Sequence, residues 1–151
     1  MEGENHISER DGVVIRFSGD SGDGMQMTGK LFTDTAALMG NGISTFPDFP
    51  AEIRAPQGTV SGVSGFQVHI GDHPVSTPGD YCDVLVAMNP AALRANARWL
   101  KPGATIICDG DTFNDRSVER AGFRTFDPVT EMNLQDYNVV VPHMTSMTRE
   151  A

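Results

Sequence analysis

The sequence predicts an α/β domain of three layers, a mostly parallel sheet with helices on both faces in the Rossmann-like manner. Two observations carry that expectation. Apolar runs of strand length alternate along the chain with segments of helical spacing, and the links between them are short and rich in Gly, Asn and Pro. Successive β-α-β units of this kind imply right-handed crossovers. They also place ligands beyond the carboxyl ends of the strands.

The first strand is expected over about Gly12 to Ser18, where Val13-Val14-Ile15-Arg16-Phe17 is mostly apolar. A loop with glycines at 19, 22 and 24 follows, then a helix from about Gly24 to Met39 with Thr28, Leu31, Phe32, Thr35 and Leu38 turned inward. Gly40-Asn41-Gly42 ends it. Ile43 to Phe46 reads as a short strand halted by Pro47 and Pro50, and Thr59 to Ile70 as a longer one with a bulge or close approach at Gly62 and Gly65.

Asp83 to Met88 has the composition of a buried parallel strand. Asn89-Pro90 then opens a helix, Asn as N-cap and Pro at the first helical position, with Leu93, Ala97 and Leu100 inward. Ala104 to Cys108 is the next strand. A helix over about Asn114 to Ala121 closes at Gly122, and Phe123 to Phe126 and Tyr137 to Val141 complete the sheet. By this reading Met1 to Asp11 is a flexible amino terminus and residues 12–141 form the domain. Pro142 to Ala151 begins a further helix that is cut short.

Composition narrows the function. The net charge of −9 disfavours nucleic-acid and anionic-membrane partners, and no run is long enough to span a bilayer. Two cysteines, Cys82 and Cys108, are too few to ligate an iron–sulfur cluster or a structural zinc ion within this chain, and a reducing cytoplasm is the expected setting.

The loop Ser18-Gly19-Asp20-Ser21-Gly22-Asp23-Gly24 is the main candidate for binding, because bare backbone before a helix offers N–H groups to an anion. Familiar nucleotide signatures do not fit. A dinucleotide fingerprint would need a small residue where Met27 stands, and a phosphate loop would need a hydroxyl in place of Leu31. A calcium loop would begin at Gly19 and end at Lys30, where carboxylates are required. Asp20 and Asp23 can serve a ligand or simply satisfy the loop's own amides. Asp109 and Asp111 can join them around a metal, although Asp111 is more simply a turn or capping residue. Glu52-Ile53-Arg54, braced between Pro50 and Pro56, is either a surface ion pair or a rigid presentation of Arg54 to an anion or partner. The reading places that segment and the glycine loop on one rim. His69, His73 and His143 lack metal-ligand spacing, and no Ser or Cys has a base beside it in sequence, so no catalytic residue and no metal ligand is assigned.

Three stretches together resemble a known family: Arg16 to Gln26, Phe49 to Pro56, and Asp83 to Leu93. They are similar to the gamma domain of 2-oxoacid:ferredoxin oxidoreductases, and more narrowly to the amino-terminal part of the alpha subunit of 2-oxoglutarate:ferredoxin oxidoreductases. The resemblance implies a non-catalytic domain of an enzyme that decarboxylates 2-oxoglutarate on thiamine diphosphate, reduces ferredoxin and forms succinyl-CoA. It implies that thiamine diphosphate, Mg2+ and the [4Fe-4S] cluster sit in partner domains or subunits. Those partners would be the thiamine-diphosphate-binding beta subunit and the remainder of the alpha subunit, with ferredoxin met indirectly. In related pyruvate enzymes this domain contributes to coenzyme A binding, which would set Gly22, Asp23, Gly24, Met25 and Lys30 near CoA. Arg54 is added from its expected place on the strand-end edge. A different class of function stays open: a stand-alone regulatory domain that binds an acyl-CoA or a nucleotide.

Overall fold

The computed structural model describes residues 7–20, 22–48 and 59–151. Among them runs one six-stranded sheet in the order β2-β3-β1-β4-β5-β6. Its strands are β1 (Gly12–Asp20), β2 (Gly42–Asp48), β3 (Val63–Gly71), β4 (Cys82–Ala87), β5 (Leu100–Cys108) and β6 (Asn138–Val140). β1–β4, β4–β5 and β5–β6 pair in parallel, whereas β3 is antiparallel to both β1 and β2. The helices are α1 (Met25–Leu38), α2 (Pro90–Asn96), α3 (Asp115–Arg120), α4 (Pro128–Glu131) and α5 (Met144–Glu150). No helix among the described residues is long and apolar enough to cross a membrane.

The alternation of β1 builds the layers. Ile15 and Phe17 face α1 in a cluster with Met25, Phe66 and Val68. Val14, Arg16 and Ser18 face the other way, toward α2, where Val14 joins Leu85, Ala92, Leu93 and Ile106. α2 starts as the sequence predicts: the Asn89 side chain accepts the Ala92 N–H at 2.8 Å, with Pro90 at the first turn. It gives way to a short 3-10 turn at Ala97–Trp99, so Leu100 belongs to β5 rather than to the helix.

Four expectations are corrected. Of the residues assigned to the inner face of α1, Phe32 alone meets the sheet, its ring 5.6 Å from that of Phe17; Thr28, Leu31, Thr35 and Leu38 are exposed. The buried line is Met25, Gly29 and Ala36, because small residues let the helix backbone settle onto β3. β2 does not stop at Pro47 but runs through it to Asp48, which an edge strand tolerates because one side of its backbone needs no ladder bond. The run Thr59–Ile70 splits, with a 3-10 turn at Val60–Gly62 before β3. Phe123 to Phe126 is no strand. The Arg124 and Thr125 N–H groups, which a strand would offer to a neighbour, donate instead to the Glu131 carboxylate at 2.9 Å each.

Candidate functional site

The carboxyl ends of the central strands share one edge. The register aligns Asp48, Gly65, Ser18, Ala87 and Cys108 in a row across the sheet, so the glycine loop, the Met88-Asn89 turn and Asp109 all leave from that row. β2 also ends there, at Asp48. Arg54 itself, with the rest of Phe49 to Gly58, lies outside the described residues.

The loop after β1 is closed by two bonds of opposite sense. The Asp23 N–H donates to the Asp20 carbonyl at 2.9 Å, and the Asp20 N–H donates to the Asp23 carboxylate at 2.8 Å. Gly19 is required by this closure, since a Cβ there would stand 2.9 Å from Asp23 Oδ2. Asp23 therefore serves the loop's own backbone. Desolvation raises its pKa above the ordinary 3.8, and the charges of Asp20 and Asp109 push the same way, against the bond from the Asp20 amide.

Gly24 is the N-cap of α1 at φ 72, a left-handed conformation, and no side chain caps the helix there. Among the described residues a Cβ on Gly24 would meet nothing within 4 Å, so they leave the space before the helix open. The first intrahelical bond runs from the Thr28 N–H to the Gly24 carbonyl. The N–H groups of Met25, Gln26 and Met27, ahead of that bond, thus have no partner within the helix and lie at the positive end of its dipole. An anion fits this arrangement.

The other candidates are distributed differently. Gly22 is exposed in the turn. Met25 is 4% exposed and packs in the core, so any contact from it with a ligand falls to its backbone. Lys30 points outward from the second turn and pairs with Asp34 at 2.8 Å. The neighbouring Gln26 instead turns inward and donates to the Gly65 carbonyl at 2.7 Å, tying the amino end of α1 to β3.

Asp109 and Asp111 have a role that local spacing does not reveal. Both reach across to the start of α5. Asp111 accepts the Ser146 N–H at 2.7 Å and the Ser146 hydroxyl at 2.8 Å, and His143 Nδ1 lies 3.1 Å from it. The fully buried Asp109 accepts the Thr145 hydroxyl and the Thr145 N–H. The two carboxylates therefore cap α5 instead of converging on a cation. The bonds from Ser146 hold the Asp111 carboxyl below its ordinary pKa.

Arg16 is the residue that sequence reasoning passed over. It is 5% exposed, and its guanidinium donates to Asn96 at 2.6 Å, to Gln67 at 3.1 Å and to Asp48. Asn96 passes the connection on to the Ser18 hydroxyl at 2.6 Å. A single Arg within an otherwise apolar strand was the available signal, because a charge buried there must be paired. Beside it opens a cleft of about 450 Å3 lined by Phe46, Asp48, Gln67, Arg98 and Trp99. The cysteines offer no nucleophile: burial pushes Cys82 up to about 11 and Cys108 to about 12.

Comparison with known proteins agrees with this fold. The chain is 53% identical over 136 residues to the 2-oxoglutarate oxidoreductase subunit KorA of Mycobacterium tuberculosis, a match covering 90% of this chain and 21% of that protein. It thus spans about a fifth of that relative's length. A solved 2-oxoglutarate:ferredoxin oxidoreductase from Magnetococcus marinus, with 2-oxoglutarate, coenzyme A and succinyl-CoA bound, superposes with a TM-score of 0.70 at 25% identity, over 94% of this chain and 22% of that one. The gamma subunit of a keto/oxoacid ferredoxin oxidoreductase from Geobacter sulfurreducens shares the fold, with a TM-score of 0.63 at 20% identity over 93% of this chain and 65% of that one. The model of the pyruvate ferredoxin/flavodoxin oxidoreductase family matches residues 14–151, and the chain belongs to that family.

Proposed function

We propose that this chain is a non-catalytic domain of a thiamine-diphosphate-dependent 2-oxoglutarate:ferredoxin oxidoreductase, whose reaction takes 2-oxoglutarate and CoA to succinyl-CoA, CO2 and reduced ferredoxin. Its own part is to receive a portion of CoA and to pack against the thiamine-diphosphate-binding beta subunit and the remainder of the alpha subunit. Thiamine diphosphate, Mg2+ and the [4Fe-4S] cluster belong to those partners, and ferredoxin is reached through them.

The observation that carries the CoA assignment is the uncapped amino end of α1 behind the open Gly24. An acidic domain with that feature offers backbone amides where side-chain charge would repel. Gly22 and Gly24 keep the approach clear, the Met25 amide is among the first N–H groups of α1, which have no partner within the helix, and the Asp23 carboxylate is turned to the Asp20 N–H. Lys30, and Arg54 from the segment that follows β2, supply the positive charge. Lys30 pairs with the exposed Asp34, an ion pair of small cost to break.

Steady-state kinetics of the assembled oxidoreductase test this reading. Gly24→Val is expected to raise the KM for CoA by about tenfold or more while the KM for 2-oxoglutarate is unchanged. Lys30→Ala is expected to act in the same direction by a smaller factor. An unchanged KM for CoA in both variants would remove the CoA contact and leave assembly as the domain's role.

A further inference from the structure

We infer that Arg16 is a positioning residue for the anion site: it acts through Asn96 on Ser18, the first residue of the glycine loop, rather than on the ligand. The inference rests on the CoA reading above. The chain of contacts is direct. The Asn96 carbonyl oxygen accepts the Arg16 Nε–H at 2.6 Å, and the Asn96 amide nitrogen donates to the Ser18 hydroxyl at 2.6 Å. Arg16 has donors alone, so it holds the Asn96 oxygen and turns the nitrogen toward Ser18. The Ala92 carbonyl, which accepts from the same nitrogen at 2.9 Å, fixes the amide the same way round.

Ser18 is then held on both sides. Its hydroxyl donates to the Ser64 carbonyl at 3.4 Å, and its own carbonyl accepts the Met88 N–H at 2.9 Å. Arg16 is anchored in turn by Gln67 and Asp48. Of Arg16, Ser18, Ser64, Gln67 and Asn96, none is more than 5% exposed.

Packing alone does not call for these residues. Val14, two positions earlier on the same face of β1, joins a core of Leu85, Leu93 and Ile106. Apolar side chains at 16 and 96 would extend that core, whereas a buried charge costs desolvation that its bonds repay only in part. What a fully bonded network adds is one fixed arrangement. The arrangement matters at this strand end. A Cβ on Gly19, next after Ser18, would stand 2.9 Å from Asp23, 3.1 Å from Met25 and 3.2 Å from Met88. In so tight a space a shift of Ser18 is passed to the bond between the Asp20 N–H and Asp23, and so to Gly24 at the head of α1.

Hydrogen exchange and steady-state kinetics of the assembled oxidoreductase test the role. Arg16→Met combined with Asn96→Leu replaces the buried pair by apolar groups, and the Asp48 side chain, already 46% exposed, returns to water. Ser18→Ala removes the hydroxyl alone and decides the matter if the double variant fails to assemble. Exchange at the Asp20 amide is expected to rise about tenfold in the double variant and about threefold in Ser18→Ala, while the Leu85 and Ile106 amides keep their protection. The KM for CoA is expected to rise by similar factors, and the KM for 2-oxoglutarate to hold. A merely structural role predicts a different pattern, because an unfolded fraction lowers kcat and leaves KM alone. An unchanged KM for CoA in both variants, where Gly24→Val raises it, would overturn the positioning role and leave the CoA contact standing. A raised KM with no change at the Asp20 amide would overturn it equally. An unchanged KM for CoA in Gly24→Val as well would remove the CoA reading, and this inference with it.

Discussion

The ring of Phe66 occupies the place where a side chain on Gly29 would have to be: a Cβ there would stand 2.1 Å from Phe66 Cδ1. This contact sets how closely α1 lies on β3 and which side of the helix is buried. Replacing Gly by Ala inside a helix ordinarily stabilises it by about 1 kcal/mol. Here the steric term is larger, since helix or ring must move to admit one methyl group, at a cost of about 2–3 kcal/mol. Gly29→Ala is therefore expected to lower the urea midpoint, whereas helix propensity alone would raise it.

Gly29 also explains why the buried face of α1 was not legible in the sequence, although the extent of the helix was. Helical periodicity points to the side rich in large apolar residues, and that side is exposed; close packing through Gly and Ala leaves almost no hydropathy signal. Start signals were far clearer, because Asn89-Pro90 and Asn114 act through their own neighbouring amides. Phe123 to Phe126 looked like a strand because propensity cannot see that Glu131 will take its N–H groups. At the site, the glycine loop was visible as a loop, and the left-handed Gly24 is what its composition implies. The bond that the Ser146 N–H donates to Asp111 joins distant parts of the chain, and no local spacing encodes it.

Arg16 yields a second expectation. Its three nitrogens are used by Asn96, Gln67 and Asp48, and its guanidinium lies 5.9 Å from the ring centre of Trp99. A Lys ammonium cannot meet three partners set around a planar fork, so Arg16→Lys leaves buried polar groups unpaired. The expected loss is about 3 kcal/mol in urea unfolding. Trp99 is the single tryptophan of the sequence, so its emission should shift in the native state of the same variant. Unchanged stability and emission would show that the network contributes little.

The clamp on α5 makes the attachment of that helix dependent on acid. The Ser146 bonds and His143 hold the folded pKa of Asp111 below the ordinary 3.8. A group depressed in this way contributes stability that is fully present above its unfolded pKa and is lost as pH falls through the folded value. Hydrogen exchange at the Thr145 and Ser146 amides should thus be slow at neutral pH, after correction for intrinsic rates, and lose its protection below about pH 4. Asp111→Asn should show the fast pattern at neutral pH; equal protection in variant and parent would assign the clamp to Asp109 alone.

Gly24 and Asp23 provide the last comparison, because both shape the candidate anion site and their substitutions cost energy by different routes. At φ 72 a side chain at position 24 is strained whatever the space around it, and among the described residues nothing within 4 Å would clash with a Cβ. The cost of Gly24→Ala is therefore that of the left-handed backbone alone, about 1–2 kcal/mol, and Gly24→Val costs more because a branched side chain is stiffer there. Asp23→Ala removes one bond to the Asp20 N–H, but it also removes a carboxylate whose charge is disfavoured by desolvation and by Asp20 and Asp109, so the two effects oppose. The expected order of thermal midpoints is parent and Asp23→Ala close together, Gly24→Ala lower, and Gly24→Val lowest. For a chain of this length each kcal/mol corresponds to a few degrees, about 2–4 °C. If Asp23→Ala fell below Gly24→Val, the loop would be held chiefly by its carboxylate, and the open backbone at Gly24 would lose its claim to be the feature that shapes the site.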